Sequence, residues 1–79
     1  MVKVGTFTGT TSANGNVKLV IDAKKYKVLG GVITSMGSYI ALHYTTSNRS
    51  GYYFHCISDG VMEPLSNTQV TIEYEYISI

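Results

Sequence analysis

The strongest constraint on the fold is an alternating segment at residues 69–79, with the sequence QVTIEYEYISI. Val70, Ile72, Tyr74 and Tyr76 occupy every second position, and threonine or glutamate stands between them. Successive side chains of a β-strand point to opposite faces, so this spacing predicts a strand with one apolar face. A helix would need apolar residues three and four positions apart, and no segment of the chain sustains that period.

Shorter segments of the same kind precede it and are separated by turn signals. Asn14-Gly15, Ser35–Ser38 and Ser58–Gly60 are such signals, and Pro64 has no amide hydrogen to donate to a central strand. Paired glycines at 30 and 31 predict a bulge, a bend or close backbone approach. The pattern predicts one all-β domain over residues 1–79, an antiparallel, jelly-roll-like β-sandwich of six to seven short strands. The predicted strands include 1–11, 17–23, 26–34 and 69–79.

A domain of 79 residues has a small core and usually needs an additional source of stability. Cys56 is the single cysteine, which excludes an intramolecular disulfide, and no cysteine–histidine cluster has zinc-finger spacing. We therefore expect a homo-oligomer. A charged fraction of 14% beside a hydrophobic fraction of 44% also favours a surface that a partner covers.

A net charge of +1 does not give the basic patch of a nucleic-acid-binding protein, so we expect no nucleic-acid partner. The chain has no apolar run near the roughly 20 residues of a transmembrane helix, and we expect no membrane insertion. Its N-terminal MVKVGTFTG lacks the apolar region of a secretory signal. We expect a protein made in the cytoplasm, or an excised domain with a start methionine.

Residues 39–57, YIALHYTTSNRSGYYFHCI, concentrate aromatic and reactive side chains and predict two strands joined by a polar loop. Pairing of Tyr44 near Tyr52 would give two faces. The expected core face comprises Ile40, Leu42, Tyr44, Tyr52, Phe54 and Cys56. The expected opposite face comprises Tyr39, Ala41, His43, Tyr53, His55 and Ile57.

Three interpretations of that opposite face remain open. It packs against a second sheet or another subunit, it forms a ligand platform of aromatic rings with polar ends, or its two histidines contribute to a metal site. The loop around Arg49 is a further candidate, because exposed loop tips often carry binding residues. The candidate ligand-binding residues are Tyr39, His43, Asn48, Arg49, Tyr53 and His55.

Known catalytic arrangements have weak support in the sequence. His55 and Cys56 are adjacent and would point to opposite faces of one strand, which disfavours a thiol–histidine pair. Glu73 and Glu75 share a strand face, but such pairs usually keep an edge soluble. We predict a non-enzymatic protein without a cofactor or a metal; a small hydrolase using the histidines or the glutamate pair is the alternative.

The C-terminal PLSNTQVTIEYEYISI resembles the terminal domains of tail-fibre and minor structural proteins of bacteriophages and of prophages in Gram-positive bacteria. The earlier VKLVIDAKKYKVLGG is compatible with this resemblance. The resemblance implies a distal β-sandwich in a phage tail, commonly a homotrimer, that binds cell-surface saccharides or proteins. The alternative is a structural assembly protein whose tyrosine-rich face is a subunit interface and binds no ligand.

Overall fold

The computed structural model describes residues 1–45 and 51–79 and shows two three-stranded antiparallel sheets packed together. The first sheet has the strand order β1–β6–β3, and the second has the order β2–β5–β4. The prediction of an all-β antiparallel sandwich is confirmed. The strands are β1 (Lys3–Thr10), β2 (Asn16–Leu19), β3 (Tyr26–Ile33), β4 (Tyr39–Thr45), β5 (Tyr52–Ser58) and β6 (Gln69–Ser78).

The alternating C-terminal segment forms β6, the central strand of the first sheet. Its inward positions are filled as the spacing predicts: Val70 and Ile72 are fully buried, and Tyr74 and Tyr76 are half-buried. The strand pairs with β1 along one side and with β3 along the other. Its backbone groups are therefore engaged on both sides, which agrees with the strong strand signal of this segment.

The Asn14-Gly15 signal marks a connection between the two sheets and not a hairpin. Gly15 has a φ of 82°, while Asn14 does not have the positive φ that a type I′ hairpin needs at both central residues. The Gly15 amide donates to the Ser12 carbonyl, and the Ser12 amide donates to the Asn16 carbonyl. This closed loop carries the chain from β1 in the first sheet to β2 in the second.

The second strand is shorter than the predicted 17–23 segment, since it ends at Leu19. The Ile21 amide donates a hydrogen bond to the Leu19 carbonyl, and Val20 is 84% exposed. The Asp22 carboxylate then accepts a hydrogen bond from the Lys24 amide and stabilises the following turn. Local side-chain hydrogen bonding therefore overrides the alternation in this segment.

The Gly30-Gly31 pair combines two of the expected features. The pairing of β3 with β6 shifts between Val28 and Gly30, which is the signature of a bulge. Gly31 faces the interior, and a Cβ there would lie 2.8 Å from the ring of Phe54. The core consists of buried residues from both sheets, together with the loop residue Leu65.

Candidate functional site

The pairing of β4 with β5 differs by one residue from the sequence expectation. Tyr44 lies opposite Tyr53 and not Tyr52, while Ala41 lies opposite Cys56. The expected inward side of β5 is correct, because Tyr52, Phe54 and Cys56 are all buried. The expected inward side of β4 is wrong. A shift of one residue exchanges the two faces of a strand, and each face of β4 carries apolar or aromatic residues.

The exchange separates the two histidines that were expected to share a face. His43 shares the inward side with Ala41, near the open end of the sandwich, with its ring 6.5 Å from that of Tyr52. His55 lies on the outer face of the second sheet, opposite Leu42. The expectation of a two-histidine cluster is wrong. Within residues 1–45 and 51–79, no group of three or more potential metal-ligating side chains occurs.

The candidate binding residues Tyr39 and Tyr53 also lie on opposite faces of the second sheet. Tyr39 is half-buried and packs against the core. Tyr53 is half-buried on the outer face of the second sheet. Asn48 and Arg49 lie outside the described residues, so their predicted contribution to binding stays a prediction.

The outer face of the second sheet carries an aromatic surface that continues across its strands. The rings of Tyr44 and Tyr53 stack with centroids 5.5 Å apart and an interplanar angle of 19°. Lys18 lies beside Tyr53 on β2, and Leu42 lies beside His55 on β4. We call these five residues, Lys18, Leu42, Tyr44, Tyr53 and His55, the tyrosine platform.

A hydrogen bond from the neighbouring strand fixes the imidazole of the platform. The Nδ1 atom of His55 lies 2.7 Å from the Oδ1 atom of Asn16, the residue opposite it on β2. When the amide oxygen of Asn16 is the acceptor, Nδ1 is the donor of this hydrogen bond. The platform therefore combines an aromatic surface with an oriented imidazole and the ammonium group of Lys18.

Sequence reasoning missed three platform residues, Lys18, Leu42 and Tyr44, and the hydrogen-bond partner of a fourth, His55. Leu42 and Tyr44 were assigned to the core, yet they are 47% and 40% exposed. Asn16 was assigned no role, because its partner His55 is 39 residues away along the chain. No local pattern reports such a pairing, so only the sheet order brings these groups together.

Cys56 and the glutamate pair do not adjoin the tyrosine platform. Cys56 is completely buried between the sheets, and this burial raises the pKa of its thiol above the ordinary value. Such a thiol has less of the reactive thiolate form at a given pH than an exposed one. Glu73 and Glu75 lie on the outer face of the other sheet, opposite Thr6 and Val4 of β1.

A cleft of about 340 Å³ opens at one end of the sandwich. Its lining residues are Ala23, Lys27, Thr45, Tyr52 and Ile79. His43 adjoins this cleft through its contact with Tyr52. Of the predicted site residues that the structure describes, Tyr53 and His55 lie on the platform, His43 adjoins this cleft, and Tyr39 packs against the core.

No family model, curated protein or solved structure gives a significant match to this chain. In the part of the chain that the structure describes, no helix is long and apolar enough to cross a membrane.

Proposed function

We propose that this chain is a non-enzymatic binding module whose tyrosine platform binds a saccharide of a cell surface. The observation that carries the proposal is the stacked pair of Tyr44 and Tyr53 on an outer sheet face. Tyrosine rings present an apolar body and a polar end, which suits the apolar C–H faces and the hydroxyl groups of a sugar ring. His55 and Lys18 add hydrogen-bonding groups next to those rings.

The proposed role in a phage tail depends on the resemblance of residues 64–79 to terminal domains of tail fibres. Under this proposal the chain lies at the distal end of a virion tail and contacts the host surface. A rigid sandwich with a preformed platform suits that role, since little ordering entropy is lost on binding. Neighbouring genes that encode tail or capsid proteins would support it, and neighbours of unrelated function would count against it.

The test of saccharide binding compares Tyr53→Ala with the wild-type chain on a glycan array, followed by calorimetry on any positive saccharide. We expect affinity to fall at least about tenfold, equivalent to ~1.4 kcal/mol, because one ring of the stacked pair is lost. Tyr53→Phe separates ring stacking from the hydroxyl group and should keep most of the affinity.

Thr8→Ala is the matched control, because Thr8 lies on the outer face of the other sheet, opposite Thr71. Its binding should equal that of the wild-type chain. An array without any positive saccharide, or equal binding by Tyr53→Ala, would remove the proposal.

A structural assembly role is the second candidate, and exposed aliphatic residues favour it. Ile40 and Leu42 are 38% and 47% exposed and extend the apolar surface away from the tyrosines. If this face packs against another subunit, Tyr53→Ala lowers the oligomeric mass and no saccharide binds. Light scattering on the same variants therefore distinguishes the two candidates.

A further inference from the structure

An open sheet leaves a row of unpaired amide and carbonyl groups along each outermost strand, which can pair with another chain. In the described part of the chain, the two sheets end in the edge strands β1, β3, β2 and β4. Soluble proteins protect such edges with lysines, prolines, bulges or very short strands. A comparison of these four strands therefore identifies the edge that is open to a partner.

Three of the edges carry protective features. Strand β2 has four residues and includes Lys18. Strand β3 contains Lys27 and the bulge between Val28 and Gly30. Strand β1 begins with Lys3, which lies on the same side of the strand as the inward-facing Phe7, and a charge in that position disfavours pairing.

Strand β4 has none of these features. Its seven residues, YIALHYT, include no lysine, arginine, carboxylate or proline, and its pairing with β5 runs uninterrupted from Tyr39 to Thr45. Among the described residues, the backbone hydrogen bonds outside the strand ladders involve no residue from Ile40 to Thr45. This edge therefore offers both backbone groups and apolar side chains to a partner strand.

We propose that β4 pairs with β4 of a second copy of this chain, antiparallel and around a two-fold axis at Leu42. Leu42 is the midpoint of the strand, so this arrangement overlaps all seven residues. It places Leu42 opposite the partner's Leu42 and Ile40 opposite the partner's Tyr44. The second sheet of each copy, β2–β5–β4, then joins that of the other copy into one continuous sheet of six strands.

The charge and polarity of β4 favour a second copy over a different partner. Pairing around Leu42 places apolar residues opposite apolar residues on the outer face, and His43 lies opposite the partner's Ala41, so no like charges are directly opposed. An isologous contact requires a surface that is complementary to itself, and this strand meets that requirement. The contact brings the platform residues Leu42 and Tyr44 beside the partner strand, while Tyr53 and His55 lie on β5 and take no part in it. The argument for the contact does not depend on the proposed function.

A single pair of strands buries less than the roughly 1,200–2,000 Å² of a standard interface, so we expect a reversible dimer. Its two-fold symmetry differs from the trimer that the phage resemblance implies. A mass measurement therefore separates the two assemblies.

Disulfide trapping tests the geometry directly. Residues that face each other across antiparallel strands have Cβ atoms about 4.5–5.5 Å apart, which brings paired thiols close to disulfide geometry. Leu42→Cys should therefore form a covalent dimer under mild oxidation, and on a denaturing gel a reductant should convert that dimer to the monomer band. Cys56 is fully buried, so this native thiol should contribute little to disulfide formation between copies.

Val4→Cys is the matched control, because Val4 is exposed on the edge strand β1. It should form no covalent dimer at the protein concentration at which Leu42→Cys is trapped. Absence of the trapped dimer, or equal trapping of Val4→Cys, would overturn the proposal.

Light scattering over a concentration series supplies the second measurement. The wild-type chain should approach twice the monomer mass, Leu42→Lys should remain at the monomer mass, and Val4→Lys should behave as the wild type. Circular dichroism of both lysine variants confirms that they are folded. A wild-type chain that stays monomeric throughout the series, or reaches three times the monomer mass, contradicts the two-fold pairing.

Discussion

The two adjacent glycines of β3, Gly30 and Gly31, have different environments, although the sequence pattern makes the same prediction for both. Gly31 faces the interior, where a Cβ would meet Phe54 at 2.8 Å and Ile72 at 3.1 Å. A Cβ on Gly30 would meet nothing within 4 Å. Of these two glycines, only Gly31 is therefore required for the close approach of the two sheets.

We predict that Gly31→Ala destabilises the fold by about 1–3 kcal/mol, because the added methyl group overpacks the core beside Phe54. Gly30→Ala is the matched control, and it should change the free energy of unfolding by much less. Chemical denaturation with urea measures both variants. Equal stability of Gly31→Ala and the wild type would show that the sheets separate at no energetic cost.

At the same scale, the structure divides the candidate binding residues into separate groups. Tyr53 and His55 stay together on the outer face, as the alternation within β5 predicts. Tyr39 and His43 lie on the other side of the second sheet, because their positions depend on how β4 pairs with β5. The residues that share a face within one strand were therefore predictable. Which face of β4 lies on the same side of the sheet as a given face of β5 was not.

At the scale of elements, hydrogen bonds of the buried Thr11 join the connection between β1 and β2 to the loop before β6. The Thr11 hydroxyl donates to the Leu65 carbonyl at 2.6 Å and accepts a hydrogen bond from the Thr68 amide at 3.0 Å. The Thr11 amide also donates to the Thr68 carbonyl. Thr11 is 2% exposed, so water cannot replace these interactions.

We predict that Thr11→Val destabilises the protein by about 1–3 kcal/mol, because the buried Leu65 carbonyl and the part-buried Thr68 amide lose their hydroxyl partner. The neighbouring Thr10 is exposed on β1, and Thr10→Val should change stability by less than about 0.5 kcal/mol. Thermal and urea unfolding of the two variants provide the comparison. A neutral Thr11→Val variant would mean that these hydrogen bonds contribute no net stability.

Element lengths were partly predictable. The alternation of β6 runs from Gln69 to Tyr76, and the structure forms the strand from Gln69 to Ser78. The end of β2 was not predictable from alternation, because the Asp22 carboxylate and the turn around it decide where the strand stops. Hydrogen bonds from short polar side chains compete with strand pairing, and their outcome depends on the surrounding structure.

At the scale of the whole molecule, the rate at which reagents modify the Cys56 thiol measures how readily the sandwich opens. It is completely buried, and the burial raises the pKa of its thiol. Both effects slow its reaction with thiol reagents, since the reagent needs access and the thiolate form. A small sandwich with a contiguous core offers such access mainly through large-scale opening.

We predict that a disulfide reagent at mildly alkaline pH modifies Cys56 at least about a thousandfold more slowly in the native protein than in denaturant, given a typical unfolding free energy near 5 kcal/mol. The rate should rise in Gly31→Ala, whose core is destabilised. Rapid labelling of the native wild-type chain would contradict the burial of this thiol.

Alternation within single strands was enough to predict the all-β class and the inward faces of β5 and β6. The assignment of individual strands to each sheet, the inward face of β4 and the pairing of Asn16 with His55 became known only from the assembled fold. Strand partners are chosen by contacts between residues distant in sequence. Where both faces of a strand carry apolar or aromatic residues, as in β4, the packing of the assembled sheets decides which face is buried.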